Sequence, residues 1–124
     1  MEATMTESKK MAQLAYKAID DKKGEDIRII NIQGVSVIAD YFIIASGNNT
    51  SQIQTIADNI AEELGRAGYD YRQIEGYQSA NWILMDYNDI IVHIFNKEDR
   101  LFYDLERIWR DGKSISIEEL NSAE

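Results

Sequence analysis

Apolar residues recur along this chain at two spacings, one helical and one alternating, and the switches between them mark out the elements. Met11, Leu14, Ala15, Ala18 and Ile19 fall at helical spacing and predict an amphipathic helix over residues 6–22. Lys22 and Lys23 suit its negative end, and Gly24 stops it. Ile27, Ile29, Ile30 and Ile32 predict a strand over Asp26–Gln33, broken by Gly34. Tyr41–Ser46 is an unbroken apolar run, as expected of a strand buried on both faces. Ser51 and Gln54 stand at capping-box spacing before a stripe of Ile53, Ile56, Ala57, Ile60, Ala61 and Leu64, closed by Gly65 and Gly68. Tyr69–Glu75 alternates as a shorter strand. A last helix, capped by Asn96 or Asp99, carries Leu101, Phe102, Leu105, Ile108 and Trp109, and ends at Asp111-Gly112. The order α-β-β-α-β-β-β-α implies an α+β fold (an α/β sandwich) in which helices pack on a mixed sheet of about five strands. Residues 1–124 read as a single domain with its core over about 8–112 and a C-terminal tail over residues 113–124.

The densest pattern is Trp82–Phe95, two apolar runs around Asn88-Asp89, a pair that tolerates the positive φ of tight hairpin turns. A two-residue loop sets Tyr87 opposite Ile90, Leu84 opposite His93 and Trp82 opposite Phe95. One face then carries Ile83, Met85, Tyr87, Ile90, Val92 and Ile94. The other carries Trp82, Leu84, Asp86, Ile91, His93 and Phe95. A hairpin apolar on both faces needs cover on both, from its own helices or from another molecule. His93, diagonal to Asp86, invites an Asp–His hydrogen bond. A lone strand imidazole is otherwise most often a hydrogen-bonded structural residue.

Charge narrows the partners. The net charge is −9, and residues 25–96 hold ten acids against three bases. Nucleic-acid affinity needs clustered Lys and Arg, so little direct nucleic-acid binding is expected, and the acidic centre suits a basic protein. There are no cysteines, which fits a reducing, cytoplasmic setting. No run is long enough to span a membrane, and residues 1–10 lack the apolar core of a signal peptide.

Catalytic patterns are missing. There is no phosphate-binding lysine loop, dinucleotide glycine motif or paired-histidine metal motif. His93 is the single histidine, so a His/Cys metal cluster is excluded. Asp86 and Asp89 straddle the turn, and Asp104 and Glu106 diverge by roughly 200° on a helix. Ser46-Gly47 lacks a neighbouring base. No catalytic, cofactor-binding or metal-ligating residue is assigned.

Four blocks in register resemble the ribosomal silencing factor RsfS (Iojap-like) family: Ile38–Gly47, Trp82–Tyr87, Val92–Phe95 and Phe102–Trp109. Asn88 stands where that family usually has glycine, a neutral change because asparagine tolerates the same backbone. The resemblance implies a nucleotidyltransferase-like core and binding to the large ribosomal subunit. The implied contact is a ribosomal protein of its intersubunit face, the fourteenth in the universal large-subunit series. Occupying that face blocks joining of the small subunit and represses translation, particularly under nutrient limitation. The Asp-x-Asp pair that holds magnesium in catalytic members of that fold is missing after Ser46-Gly47, where only Asp58 follows. The chain is therefore expected not to be an enzyme and to need no cofactor. A divergent nucleotidyltransferase-like enzyme acting on a nucleotide or RNA end is the alternative. The expected ribosomal-protein contacts are Trp82, Leu84, Asp86, Tyr87, Asp89, Ile91, His93, Phe95 and Tyr103. A homodimer of the free protein that hides the same surface is also expected.

Overall fold

The computed structural model describes residues 7–33, 39–98 and 112–121. The chain runs α1 (Glu7–Asp21), β1 (Glu25–Asn31), β2 (Tyr41–Gly47), α2 (Thr50–Arg66), β3 (Gln73–Glu75), β4 (Trp82–Asp86), β5 (Ile90–Asn96), β6 (Lys113–Ile115) and α3 (Ile117–Asn121). The six strands form one sheet in the order β3-β4-β5-β2-β1-β6. Every neighbouring pair is antiparallel except β2 and β5, which run parallel from Tyr41↔Ile90 to Gly47↔Asn96. A parallel pair requires a crossover, and α2 lies within it.

Alternation sorts the sheet into two faces. Ile29, Tyr41, Ile43, Ala45, Ile83, Met85, Ile90, Val92 and Ile94 point one way. They pack under Met11, Ala15 and Ile19 of α1, Ile53, Ile56 and Ile60 of α2, and Leu120 of α3. Ile30, Ile32, Phe42, Ile44, Ile91 and Phe95 point the other way, with Trp82 and Leu84 against them. We call these the helix face and the far face. As its unbroken apolar run predicts, every residue of β2 is buried.

Both long helices end in the same hydrogen-bonded motif, built from different residues. After α2, Gly68 N–H donates to Gly65 O and Tyr69 N–H to Leu64 O, with Gly68 at φ 95°. After α1, Lys23 N–H donates to Asp20 O and Gly24 N–H to Ile19 O, and the left-handed residue is Lys23 at φ 65°. Gly24 therefore ends α1 for want of room. A Cβ there would lie 2.2 Å from Ile19 Cγ2.

Several expected boundaries shift. The cap of α2 is Asn49, whose side chain accepts from Gln52 N–H, while Gln52 Oε1 accepts from Asn48 N–H. The box spans Asn49 and Gln52 instead of Ser51 and Gln54, because the helix begins before Ser51. Of Tyr69–Glu75 only Gln73–Glu75 forms a strand. Residues past 112, read as a tail, instead add edge strand β6 and helix α3. Ile115 pairs with Ile29, Leu120 is buried, and Gln13 Nε2 donates to Leu120 O. Three-residue strands and one-turn helices are too short to show a period, so the pattern could not announce them. The helix expected between Asp99 and Asp111 lies outside the described residues.

Lys23 holds a conformation that costs L-residues about 1–2 kcal/mol, so Lys23→Gly should raise stability by about 0.5–1 kcal/mol after glycine's larger unfolded-state entropy is subtracted. Gly24→Ala should lower stability instead, since its Cβ meets Ile19. Urea denaturation of the two variants checks both signs.

Candidate functional site on the far sheet face

The hairpin register is the one its turn spacing implies. Trp82 faces Phe95, Leu84 faces His93 and Asp86 faces Ile91, and Tyr87 N–H donates to Ile90 O at 3.0 Å. Only Asn88 of the turn pair takes positive φ, at 74°. Asp89 N–H donates back to Tyr87 O, and Asn88 N–H donates to Asp86 Oδ1 at 2.8 Å. The carboxylate thus ties down the turn from inside. Asp40 N–H donates to Asp89 O, joining the turn to the entrance of β2.

Because β2 lies beside β5, side chains line up in rows across the far face. Leu84, His93 and Ile44 form one row, and Asp86, Ile91 and Phe42 the next. His93 sits in the middle, 4% exposed, with its ring centroid 4.8 Å from that of Phe42. Phe95 is fully buried and stacks on Trp82 at 5.2 Å and 24°. Trp82 and Leu84 are the half-buried apolar side chains of this cluster.

The expected Asp86–His93 bond does not form. Trp82 Nε1–H donates to His93 Nδ1 at 3.0 Å, while Asp86 accepts from Arg72 Nη2 at 3.1 Å as well as from the Asn88 amide. Trp82 and Asp86 are both diagonal neighbours of His93, and Arg72, just before β3, draws the carboxylate away. Accepting at Nδ1 requires the neutral imidazole with its proton on Nε2. That Nε2 is buried with no hydrogen-bond partner among the described residues. Desolvation lowers the His93 pKa from 6.5 to about 4.

Of the residues singled out in the sequence, Trp82, Leu84, Asp86, Ile91, His93 and Phe95 share this face. Tyr87 does not. It is 4% exposed in the helix-side core, where burial first, and then the negative potential of Tyr71 and Asp70, push its hydroxyl pKa upward. Asp89 is exposed at the turn, and Tyr103 lies outside the described residues. Sequence reasoning missed the Trp82–His93 bond, although the diagonal pairing that suggested Asp86 pointed equally to Trp82. It also missed Ala80, fully buried at φ 55° in the turn feeding Trp82. Among the described residues, no group of three or more His, Asp or Glu is placed to hold a metal ion. None of the described helices is long and apolar enough to cross a membrane. A groove of about 660 Å³ lined by Lys10, Leu14, Tyr16, Tyr69 and Ile117 runs along the helices, on the other side of the sheet.

Comparison with known proteins gives a consistent result. A family model described as "Ribosomal silencing factor during starvation" matches residues 5–124. A ribosomal silencing factor from Bacillus subtilis is 40% identical over 110 residues, 89% of this chain and 93% of that protein. A crystal structure of a protein from Chromobacterium violaceum superposes with a TM-score of 0.82 at 31% identity, covering 90% of this chain and 92% of that one. A more distant mouse relative, 26% identical over 71% of this chain and 40% of its own length, is named "Mitochondrial assembly of ribosomal large subunit protein 1".

The His93 shift has a definite sign. As pH falls from about 6.5 to about 4 the unfolded chain takes up the proton that the folded chain refuses, so stability declines across that window. The full effect is about 3 kcal/mol. Denaturation from pH 7 to 4 should show a shallower decline in His93→Asn than in the unsubstituted protein. Parallel curves would mean that the imidazole does not titrate as its burial requires.

Proposed function

The chain belongs to the RsfS family of ribosomal silencing factors, and on that ground we propose that it silences translation by protein–protein contact. It binds the large ribosomal subunit through a basic ribosomal protein of the intersubunit face, the fourteenth in the universal series, and so blocks joining of the small subunit. Its place of action is the ribosome-bearing cytoplasm. The nucleotidyltransferase-like resemblance concerns ancestry in this reading, and no reaction is assigned.

The observation that carries the proposal is the Trp82–Leu84 pair. It is a half-buried apolar anchor on a buried aromatic base. Interfaces concentrate their energy in such aromatic anchors. The mouse relative's name supports the choice of the large subunit. Exposed acids at Asp70, Glu75 and Asp89 supply a rim suited to a basic partner. Asp86 plays an internal part, because Arg72 and the turn already satisfy it.

Purified protein should pellet with large subunits and lower output in cell-free translation, shifting joined ribosomes towards free subunits. Trp82→Ala should weaken that binding by about 2 kcal/mol and leave the fold intact. Pelleting with small subunits would overturn the assignment.

Raising salt should slow association more than it speeds dissociation, with Asp89→Asn reproducing part of the effect. Stopped-flow mixing at several ionic strengths measures this. A rate indifferent to salt removes the electrostatic contribution.

The free protein is further proposed to pair two-fold through the same Trp82–Leu84 patch, so that dimerisation competes with silencing. Among the described residues Tyr71 is the one large apolar side chain that stands well out in solvent, at 43%. The dimer is accordingly expected to be weak. Light scattering across a dilution series should show concentration-dependent mass, and a constant monomer would exclude it.

A further inference from the structure

We propose that His93 is a positioning residue, which through Nδ1 holds the Trp82 indole in the orientation that meets the partner. The inference rests on the interface reading above and gives His93 a role other than contact. At 4% exposure the imidazole offers a docking protein almost no surface. Trp82 stands over it at the margin of the aromatic cluster, half-buried.

Among the described residues, Phe95 and His93 both constrain the indole. Its stack on Phe95, at 5.2 Å and 24°, fixes the plane of the ring. A stack alone would also accept the ring turned over about χ2, because either face of an indole offers much the same dispersion contact. The hydrogen bond from Nε1 to His93 Nδ1, at 3.0 Å, removes that freedom and fixes which edge of the indole points outwards. His93 is itself held by ring contacts with Phe42 at 4.8 Å and Phe95 at 6.2 Å. An anchor whose own support is rigid loses less entropy when a partner docks.

Stability alone gives little reason for an imidazole here. The neighbours on its face along β5 are Ile91 and Phe95, both buried and apolar. The imidazole brings a buried Nε2–H that no acceptor among the described residues meets. An orphaned donor of this kind weakens a fold. A leucine would fill the row between Leu84 and Ile44 without that penalty, but would leave the indole N–H without His93's acceptor.

The test compares His93→Leu, His93→Asn and Trp82→Phe. It uses two readouts, binding to purified large ribosomal subunits and the indole N–H resonances of the free protein. Trp82→Phe identifies which resonance belongs to Trp82. His93→Leu should shift that resonance upfield, speed its exchange with water, and weaken binding about tenfold without lowering the unfolding midpoint at neutral pH. His93→Asn, which offers an acceptor near the place of Nδ1, should recover much of both. On the Trp82→Phe background, His93→Leu should have no further effect on binding. An unmoved indole resonance in His93→Leu, or a binding loss that persists in full without the indole donor, overturns the proposal. Failure of the unsubstituted protein to bind large subunits sinks the interface reading and the functional half of this one. The resonance of the free protein then still decides separately whether His93 holds the ring.

Discussion

The parallel ladder between β2 and β5 is the pairing on which the other layers depend. Both strands are central and buried on both sides, from Tyr41 to Gly47 and from Ile90 to Phe95. Because they run the same way, the chain must cross from the end of one to the start of the other, and α2 lies in that crossing. The crossing puts Ile53, Ile56 and Ile60 over one face, where α1 and α3 join them. The hairpin then brings β4 back antiparallel on the outer side of β5. Trp82 and Leu84 thereby land on the face opposite the described helices, beside Phe95 and His93 of β5.

That arrangement lets a small acidic domain carry the proposed apolar anchor with little apolar exposure among the described residues of this face. The far face is dense with Ile30, Ile32, Phe42, Ile44 and Phe95, all buried, and exposure is confined to its margin. His93 interrupts the apolar rows with one polar contact. Its lowered pKa and its unmatched Nε2 are two consequences of a single fact, the removal of an imidazole from water. The structure keeps this cost beneath Trp82, the tryptophan proposed as the anchor. Nothing comparable occurs at Ile91 or Phe95, one row away on either side.

Long elements were legible because their periodicity lasts. The stripe from Met11 to Ile19, the stripe from Ile53 to Leu64 and the unbroken run of β2 each became the predicted element. The hairpin register followed from counting back from Asn88-Asp89, and all five pairs of the ladder obey it. Short elements left no such trace. β6 is recognisable as a strand only because β1 offers it an edge, and α3 only because Leu120 reaches the core. The capping pair of α2 was misplaced by two residues because Asn49 with Gln52 and Ser51 with Gln54 satisfy the same spacing rule. Only the route of the chain out of β2 chooses between them.

The sequence by itself determined the alternation of faces, the identities of the core positions, the turn at Asn88 and the net charge of −9. These follow from local periodicity and composition, which do not need to know what lies across the sheet. Tertiary structure decided the partners. A single sequence could not show that β5 lies parallel to β2, or that Arg72 reaches Asp86. Nor could it show that His93, with two diagonal neighbours to choose from, accepts from Trp82. A hydrogen bond depends on distances of a few tenths of an ångström between segments remote in the chain. Such distances are set when the strands close on one another.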